Sequence, residues 1–357
     1  MGTILNIANN YFGTAVFNNI YEAQRQLGLQ PCVLVFLPEQ DADFSVGEDI
    51  TILWEPRSIH FFLRFLPFLR FFYHRQELLR FLKFREISLI HSHTIHSNGS
   101  LGYFIAKMLK VPHVVSVRNT DVNDALPKLF FLKKWYWKVL HSCTSIVCPN
   151  FAYQEFIWKR FHIQPIVMPN PIDAFWLENN NYKSCIAETS TIKILVIGEI
   201  VRNKNQLSVV EAANAISQNT RVILAGKVND EQYLQEIENA ATATELLTLG
   251  EISDKSSLLQ LLNDSHLMCL VSFKETFGLS IVESALSGVP TVFTRNQAID
   301  GYFPDGAIGV SVDPHNKEEL QAAIKSTLAM DRQNIRRLAL ERFSRDRYLS
   351  ELRRLYV

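Results

Sequence analysis

Apolar residues in this chain come in short continuous runs, separated by longer stretches in which they recur every three or four positions. In the first half the runs cover residues 4–8, 32–37, 88–91, 113–117, 145–148 and 166–168. In the second half they cover 193–197, 221–225, 246–249, 267–272, 291–293 and 309–312. Runs of this length suit strands buried on both faces, as in a parallel sheet, and the periodic stretches between them suit helices. Helices are expected over 16–27 and 206–216, and again after a cap formed by Asn316 and Glu319 through Met330. The Arg-rich segment 333–356 reads as helical and long enough to reach back to the first domain. This alternation predicts an α/β architecture of doubly wound parallel sheets, whose ligands gather at the carboxyl ends of the strands.

A chain of 357 residues is too long for one ordinary core. Pro169 and Pro171 stiffen the crossing at 169–173, and a polar run follows over 178–191. The expected division is 1–173, 174–338 and a terminal helix over 339–357. Hydrophobic content of 47% with 20% charged residues marks a globular protein rather than a disordered one. A formal net charge of zero gives no general attraction to nucleic acid, so any electrostatic partner must meet a local patch. Cys32, Cys143, Cys148, Cys185 and Cys269 form no CxxC pair and no zinc spacing, which suits a reducing cytosol. The opening residues show no charged leader followed by a long apolar segment, and Asn6 breaks the myristoylation pattern. The expectation is a cytoplasmic protein that neither crosses a membrane nor is secreted.

One local patch stands out. The segment 56–85 is aromatic and cationic together: Arg64, Arg70 and Arg75 fall toward one side of a helical projection, with Phe61, Phe65, Leu69 and Phe72 spread over the other. Pro67 should bend or break the helix. A basic face opposite Phe and Leu is the pattern of an interfacial element on anionic lipid, and 128–138 repeats it. The competing reading makes the Phe and Leu residues core and the arginines solvated. His91, His93 and His96 place an HxH on one strand face, but no CxxC or HExxH accompanies them. Hydrogen-bonded pocket histidines are favoured over a metal site.

The richest chemistry lies over 271–294. A buried strand leads to Glu275, then a helix starts at Gly278, repeats apolar residues at Leu279, Val282 and Leu286, and stops at Gly288 before Pro290. Glu283 sits one turn beyond Leu279. The amides of Phe277, Gly278 and Leu279 point outward at the helix start, where phosphate is attracted. Carboxylates beside a phosphate site suit neutral hydroxyls, such as those of ribose and hexose, which points to a nucleotide sugar. Arg202 and Lys204 follow the strand that ends at Gly198 and suit the phosphates, Lys204 foremost. Gly13 and Thr14 follow the first strand, where a glycine turn admits a ligand close to the backbone. The remaining strand ends of the first half carry His91, His93, His96, Arg118, Asn119, Asp121 and Asn150.

The run from Glu275 to Pro290 resembles the E-x-F-G-L-x-x-x-E-A-x-x-x-G-x-P pattern of the retaining GT-B glycosyltransferases of family 4 (group 1), with Ser284 where Ala is usual. Residues 169–173 resemble that family's P-N-G-V-D linker, Gly198 with Lys204 resembles its G-R-x-x-x-x-K loop, and 294–306 is similar to a run in its capsule and exopolysaccharide enzymes. The resemblance implies two Rossmann-like domains with an interdomain cleft. It implies a hexosyl- or N-acetylhexosaminyltransferase that uses a nucleoside-diphosphate sugar, with UDP the favoured nucleotide, and requires no metal. Lys204, with Arg202, would neutralise the diphosphate and stabilise the leaving nucleotide. Glu275, Thr276 and the amides of Phe277, Gly278 and Leu279 would hold sugar and diphosphate, and Glu283 would accept from the ribose. Gly250, Glu251 and Ile252 would lie near the base, Gly13 and Thr14 near the phosphates. Arg118, Asn119, Asp121 and His93 are the acceptor-side candidates. The implied acceptor is a lipid-linked glycan or other saccharide in surface polysaccharide synthesis (capsule or O-antigen), met at the inner face of the cell membrane. Two positions depart from the pattern: Glu199 stands where Arg often follows the glycine, and Arg118 stands where His is frequent. A sugar-nucleotide epimerase of the same fold and an inactive sugar-nucleotide or membrane-binding scaffold are the alternatives. A nicotinamide dehydrogenase is disfavoured, since no G-x-G-x-x-G follows a strand.

Overall fold

The computed structural model describes residues 2–9, 11–13, 16–39, 47, 49–179, 181–183, 190–216 and 219–356. The chain divides into two compact units: Met1–Pro171 with Tyr348–Val357, and Ile172–Arg347.

The strands of unit 1 are β1 (Thr3–Ile7), β2 (Gln30–Pro38), β3 (Ile50–Glu55), β4 (Ile87–Ser92), β5 (His113–Ser116), β6 (Ser145–Cys148) and β7 (Ile166–Val167). They form a seven-stranded sheet in the order β3-β2-β1-β4-β5-β6-β7, parallel throughout. Successive side chains serve opposite faces, as the two-residue strand period requires. Leu5, Ile7, Leu34, Phe36 and Ile90 pack on one side with Leu78 and Leu101. Ile4, Leu89, Val114 and Val147 pack on the other with Leu352 and Leu355 of the final helix.

Unit 2 repeats the plan with β8 (Thr191–Ile197), β9 (Asn219–Ala225), β10 (Glu245–Gly250), β11 (Leu267–Leu270), β12 (Thr291–Thr294) and β13 (Gly309–Val312), in the order β10-β9-β8-β11-β12-β13. Ile194, Val196, Val222 and Leu224 face one helical layer, while Leu195, Ile223, Met268 and Leu270 face the other. In both sheets the winding reverses between the first strand and the fourth, at β1/β4 and β8/β11. Loops that leave such a pair diverge and open a crevice, the usual ligand position in these folds.

Strand β3 has no counterpart among the expected elements. Its Trp54 is exposed and its Glu55 is buried, an inversion that hides the strand from an apolar pattern. The Arg-rich C-terminal segment is two helices, Arg332–Phe343 and Arg345–Tyr356, rather than one. Ser344 adopts an extended ψ of 150° between them, and its hydroxyl accepts from the Arg347 amide at 3.4 Å. Two arginines of the first of these helices turn inward: Arg332 donates to the Gly288 carbonyl at 3.1 Å and Arg336 to that of Leu286. They satisfy the open carbonyl end of the helix Leu279–Leu286, where positive charge is also favoured.

The segment 56–85 breaks around Pro67 into the helices Arg57–Leu63, Leu69–Tyr73 and Arg75–Lys83. Arg64 and Arg75 are exposed, but Arg70 corrects the expectation of a membrane-facing cation: it is 1% exposed. Its Nε and a terminal nitrogen donate to the two carboxylate oxygens of Glu55 at 2.7 and 3.0 Å, and its guanidinium lies 4.0 Å from the Phe36 ring centroid. The matching acid lies just outside the segment, at the end of β3. His60 and His74 reach the same carboxylate at 2.7 and 3.0 Å. Burial alone would raise the Glu55 pKa; the contacts from His60, His74 and Arg70 outweigh it and hold the carboxyl well below the usual range.

Because the folded pKa is depressed, this carboxylate stabilises the protein above the ordinary Glu range of about pH 4.3 and loses its contribution only in strong acid. Arg70→Ala leaves a buried charge unpaired and should cost about 3–5 kcal/mol at neutral pH in urea unfolding. The loss should narrow below about pH 4, where the freed carboxyl protonates. Glu55→Gln combined with Arg70→Met should recover most of it.

Candidate active site

In unit 2 the loops after β8 and β11 leave the sheet side by side at the switch point. The β8 loop turns through Gly198, enters the short 3-10 turn Arg202–Lys204 and leaves through Asn205 at φ 56°. The β11 loop runs from Val271 to Gly278, whose φ of 69° suits glycine, and where a Cβ would stand 2.6 Å from Ile281. The helix Leu279–Leu286 starts there and buries Ile281, Val282, Ala285 and Leu286.

These loops are joined by the Lys204 ammonium and the Glu275 carboxylate, 2.7 Å apart and partly shielded from solvent. Neutral groups fix both partners. Asn203 donates to the Lys274 carbonyl at 3.0 Å and accepts the Phe273 amide through its own carbonyl at 2.8 Å. The Asn205 amide group donates to the carbonyls of Val271 and Pro314 at 3.3 and 3.0 Å. From the far side, Gln297 accepts the Glu275 amide at 2.6 Å and donates to the Phe273 carbonyl at 2.7 Å. Thr294 donates to the Ser272 carbonyl at 2.7 Å. Glu275 also accepts from the Ser272 hydroxyl at 3.3 Å and from the Thr276 amide at 3.1 Å. The Lys204 ammonium and the Glu275 carboxylate are thus held by a frame of Asn203, Asn205, Thr294 and Gln297. Those positions went unnoticed individually, although the R-N-K-N loop and the run 294–306 contain them.

The Phe277 side chain is 2% exposed and belongs to the core, so what it offers a ligand is its amide. With those of Gly278 and Leu279 it opens the helix, where no intrahelical acceptor exists. Glu283 lies on the same helix. Burial and the nearby Asp173 carboxylate push its pKa up to about 7, against the lowering effects of Lys255 and a hydrogen bond from Trp176. Lys255 bridges to Asp173 at 2.6 Å. Gly250 ends β10 at φ 72°, Glu251 is exposed and Ile252 packs on the core.

Arg202 is not brought to this pair. Glu236 takes its guanidinium in two hydrogen bonds of 2.9 and 2.6 Å, and it lies 5.3 Å from the Tyr233 ring centroid.

In unit 1, Gly13 closes the turn Tyr11–Gly13, and Thr14 lies outside the described residues. His93 is buried, stacked on His91 at 4.2 Å, with Nε2 on the Asn6 carbonyl oxygen at 3.1 Å. Asp121 accepts the backbone amides of Ile95, His96 and Arg118 at 2.9, 3.1 and 3.0 Å, so it organises the loops rather than presenting itself to solvent. Asn119 accepts from Asn123 and from the Tyr153 hydroxyl. Arg118 donates to Asn170 at 2.6 Å. The histidines expected in pockets are hydrogen-bonded: His91 to Tyr356 and Ser116, His96 to Tyr136 and the Arg64 carbonyl. Among the described residues no three His, Cys, Asp or Glu side chains are grouped to hold a metal ion.

The family described as glycosyl transferases group 1 matches residues 181–344, and that described as glycosyltransferase family 4 matches residues 14–174. The chain is a glycosyltransferase of the group 1, family 4 kind. Its two Rossmann-like parallel sheets are those of the GT-B fold. The sucrose-phosphate synthase of Thermosynechococcus elongatus superimposes with a TM-score of 0.74 at 15% identity, over 100% of this chain and 98% of that one. Anabaena HepE, solved in complex with UDP, superimposes with a TM-score of 0.73 at 14% identity, over 99% of each chain. In sequence, this glycosyltransferase is 23% identical to the alpha-monoglucosyldiacylglycerol synthase of Streptococcus pneumoniae, over 88% of this chain and 75% of the relative.

A raised carboxyl pKa means stability that is complete below the ordinary Glu value and is lost as pH rises through the folded value. The wild type should therefore lose stability relative to Glu283→Gln between about pH 5 and about pH 8, followed by urea midpoints across that range. A constant difference would place the Glu283 pKa elsewhere.

Proposed function

We propose that this glycosyltransferase takes a hexosyl or N-acetylhexosaminyl group from a UDP-sugar and passes it, with retention, to a hydroxyl of a lipid-borne acceptor. The observation that carries the reading is the Lys204–Glu275 pair at the open end of the helix Leu279–Leu286. An incoming diphosphate competes with Glu275 for the Lys204 ammonium and meets the helix amides. Glu275 is then free to accept from sugar hydroxyls, and Glu283 accepts from the ribose. Arg202 joins the phosphates by exchanging Glu236 for the ligand.

The proposed reaction is front-face. The bond from the anomeric carbon to the phosphate oxygen breaks, the acceptor oxygen bonds to the same face, and its proton passes to the departing phosphate. Lys204 and the amides stabilise charge as it develops on that phosphate, where such donors act most strongly. These groups supply the stabilisation without calling on a metal.

UDP is supported by the neighbour solved with that nucleotide. A lipid-borne acceptor is supported by a relative named as a glycolipid synthase and by the surface of unit 1. Phe61, Phe84 and Phe130 are 61%, 81% and 71% exposed, in segments that also carry exposed Arg64, Arg75, Lys133 and Lys134. No helix among the described residues is long and apolar enough to cross a membrane; the proposed contact is interfacial, on the inner, anionic face of the cell membrane. The acceptor chemistry extends equally to a lipid-linked glycan in surface polysaccharide synthesis.

Lys204→Ala should lower turnover by about 10²–10³, read as acceptor-dependent UDP release; normal turnover would remove Lys204 from the mechanism. In vesicle cosedimentation, Phe61→Ser with Phe62→Ser should weaken binding to anionic lipid by about tenfold or more, and unchanged binding would displace the proposed contact.

A further inference from the structure

Unit 1 holds an open crevice at the carboxyl ends of β4, β5 and β6, flanked on one side by Tyr348, Leu352 and Leu355 of the helix Arg345–Tyr356. Arg118, Asn170, His91 and Ser116 give it polar walls, and Met168 and Leu352 apolar ones.

Its charge is unbalanced. Arg118 forms no ion pair among the described residues: one terminal nitrogen rests on the neutral Asn170, and its Nε is buried without a partner. Asp121 is near enough to influence it, but three backbone amides occupy that carboxylate. The other polar neighbours are uncharged. His91 is held neutral by burial and by Arg118 itself, and the Tyr21 and Tyr348 hydroxyls are raised well above the usual range by burial. Two more buried atoms in the field of Arg118, the Tyr21 hydroxyl and His93 Nδ1, lack partners among the described residues. A desolvated guanidinium with an open nitrogen is costly in a folded chain unless an anion completes it. The planar fork of arginine matches an oxyanion.

We infer that this pocket is an oxyanion site, in which Arg118 receives the phosphate or carboxylate group of a small ligand and Asn170 steadies the guanidinium. Under the proposed transferase reading, on which this last step rests, that ligand is the acceptor, and Arg118 selects an anionic one.

The test is thermal unfolding of the full chain at constant ionic strength, with inorganic phosphate, glucuronate, glucose and sodium chloride as separate additions. Phosphate, glucuronate or both should raise Tm by about 2–4 °C at millimolar concentration, and glucose and chloride should not. The arm that protects distinguishes a phosphate from a carboxylate. Arg118→Gln should abolish the rise, Arg118→Lys should retain a reduced one, and Lys204→Ala should leave it intact. No rise with either oxyanion would overturn the inference, as would a rise that survives Arg118→Gln or disappears in Lys204→Ala. Should Arg118→Gln fail to fold, the Lys variant decides: a rise equal to that of the wild type refutes the forked contact. Protection by UDP, measured alongside, reports on the donor site of unit 2. Its absence would count against the transferase reading alone.

Discussion

The ion pair between Lys204 and Glu275 is where sheet topology becomes chemistry. Residues 71 positions apart in sequence meet at 2.7 Å because β8 and β11 are neighbours at the point where the sheet reverses its winding. Without that strand order the two loops would leave on different parts of the sheet edge. The pair also joins opposite charges at a helix start that itself favours anions. A cation, a carboxylate and unpaired amides in one place are the basis for the proposal that this site exchanges an internal partner for a diphosphate and a sugar. The surrounding side chains serve this geometry: Asn203, Asn205, Thr294 and Gln297 fix the loops, and Arg332 and Arg336 secure the far end of the helix.

Unit 1 solves a different problem with similar means. Its Glu55 is an interior acid at a sheet edge, neutralised by Arg70 and contacted by two histidines. This knot ties the helices of 57–83 to the sheet while Phe61, Phe62, Phe72 and Tyr73 stay exposed. The surface proposed to meet lipid therefore rests on a charged anchor rather than on an apolar core alone. The C-terminal helix contributes similarly, since Leu352 and Leu355 complete a sheet face whose strands come from the other end of the chain.

The sheets were largely legible in the sequence, as was the turn proposed to hold the donor, because both depend on local patterns. Strands buried on two faces are written as apolar runs, and the turn into the helix at Gly278 is written in one short stretch with both glutamates. Arg70 was misjudged because its partner lies fifteen positions away on a strand that the pattern did not reveal. Helical projection compares residues on one element and is blind to such pairing. Arg202 and Lys204 are neighbouring cations that the sequence assigns to the same phosphates, Lys204 foremost. Their different reach, one to Glu236 and the other to Glu275, separates them in the structure. Asp121 carried the right chemistry for an acceptor site, yet its oxygens are committed to backbone amides, a use that no spacing signals.

The central claim is that the Lys204–Glu275 pair is the resting form of a diphosphate-sugar site. A crystal structure of the protein with UDP tests it most directly. The account predicts a terminal phosphate oxygen within hydrogen-bond distance of the Lys204 ammonium and of the amides at Gly278 and Leu279, with the ribose on Glu283. UDP bound elsewhere, with Lys204 still paired to Glu275, would contradict it.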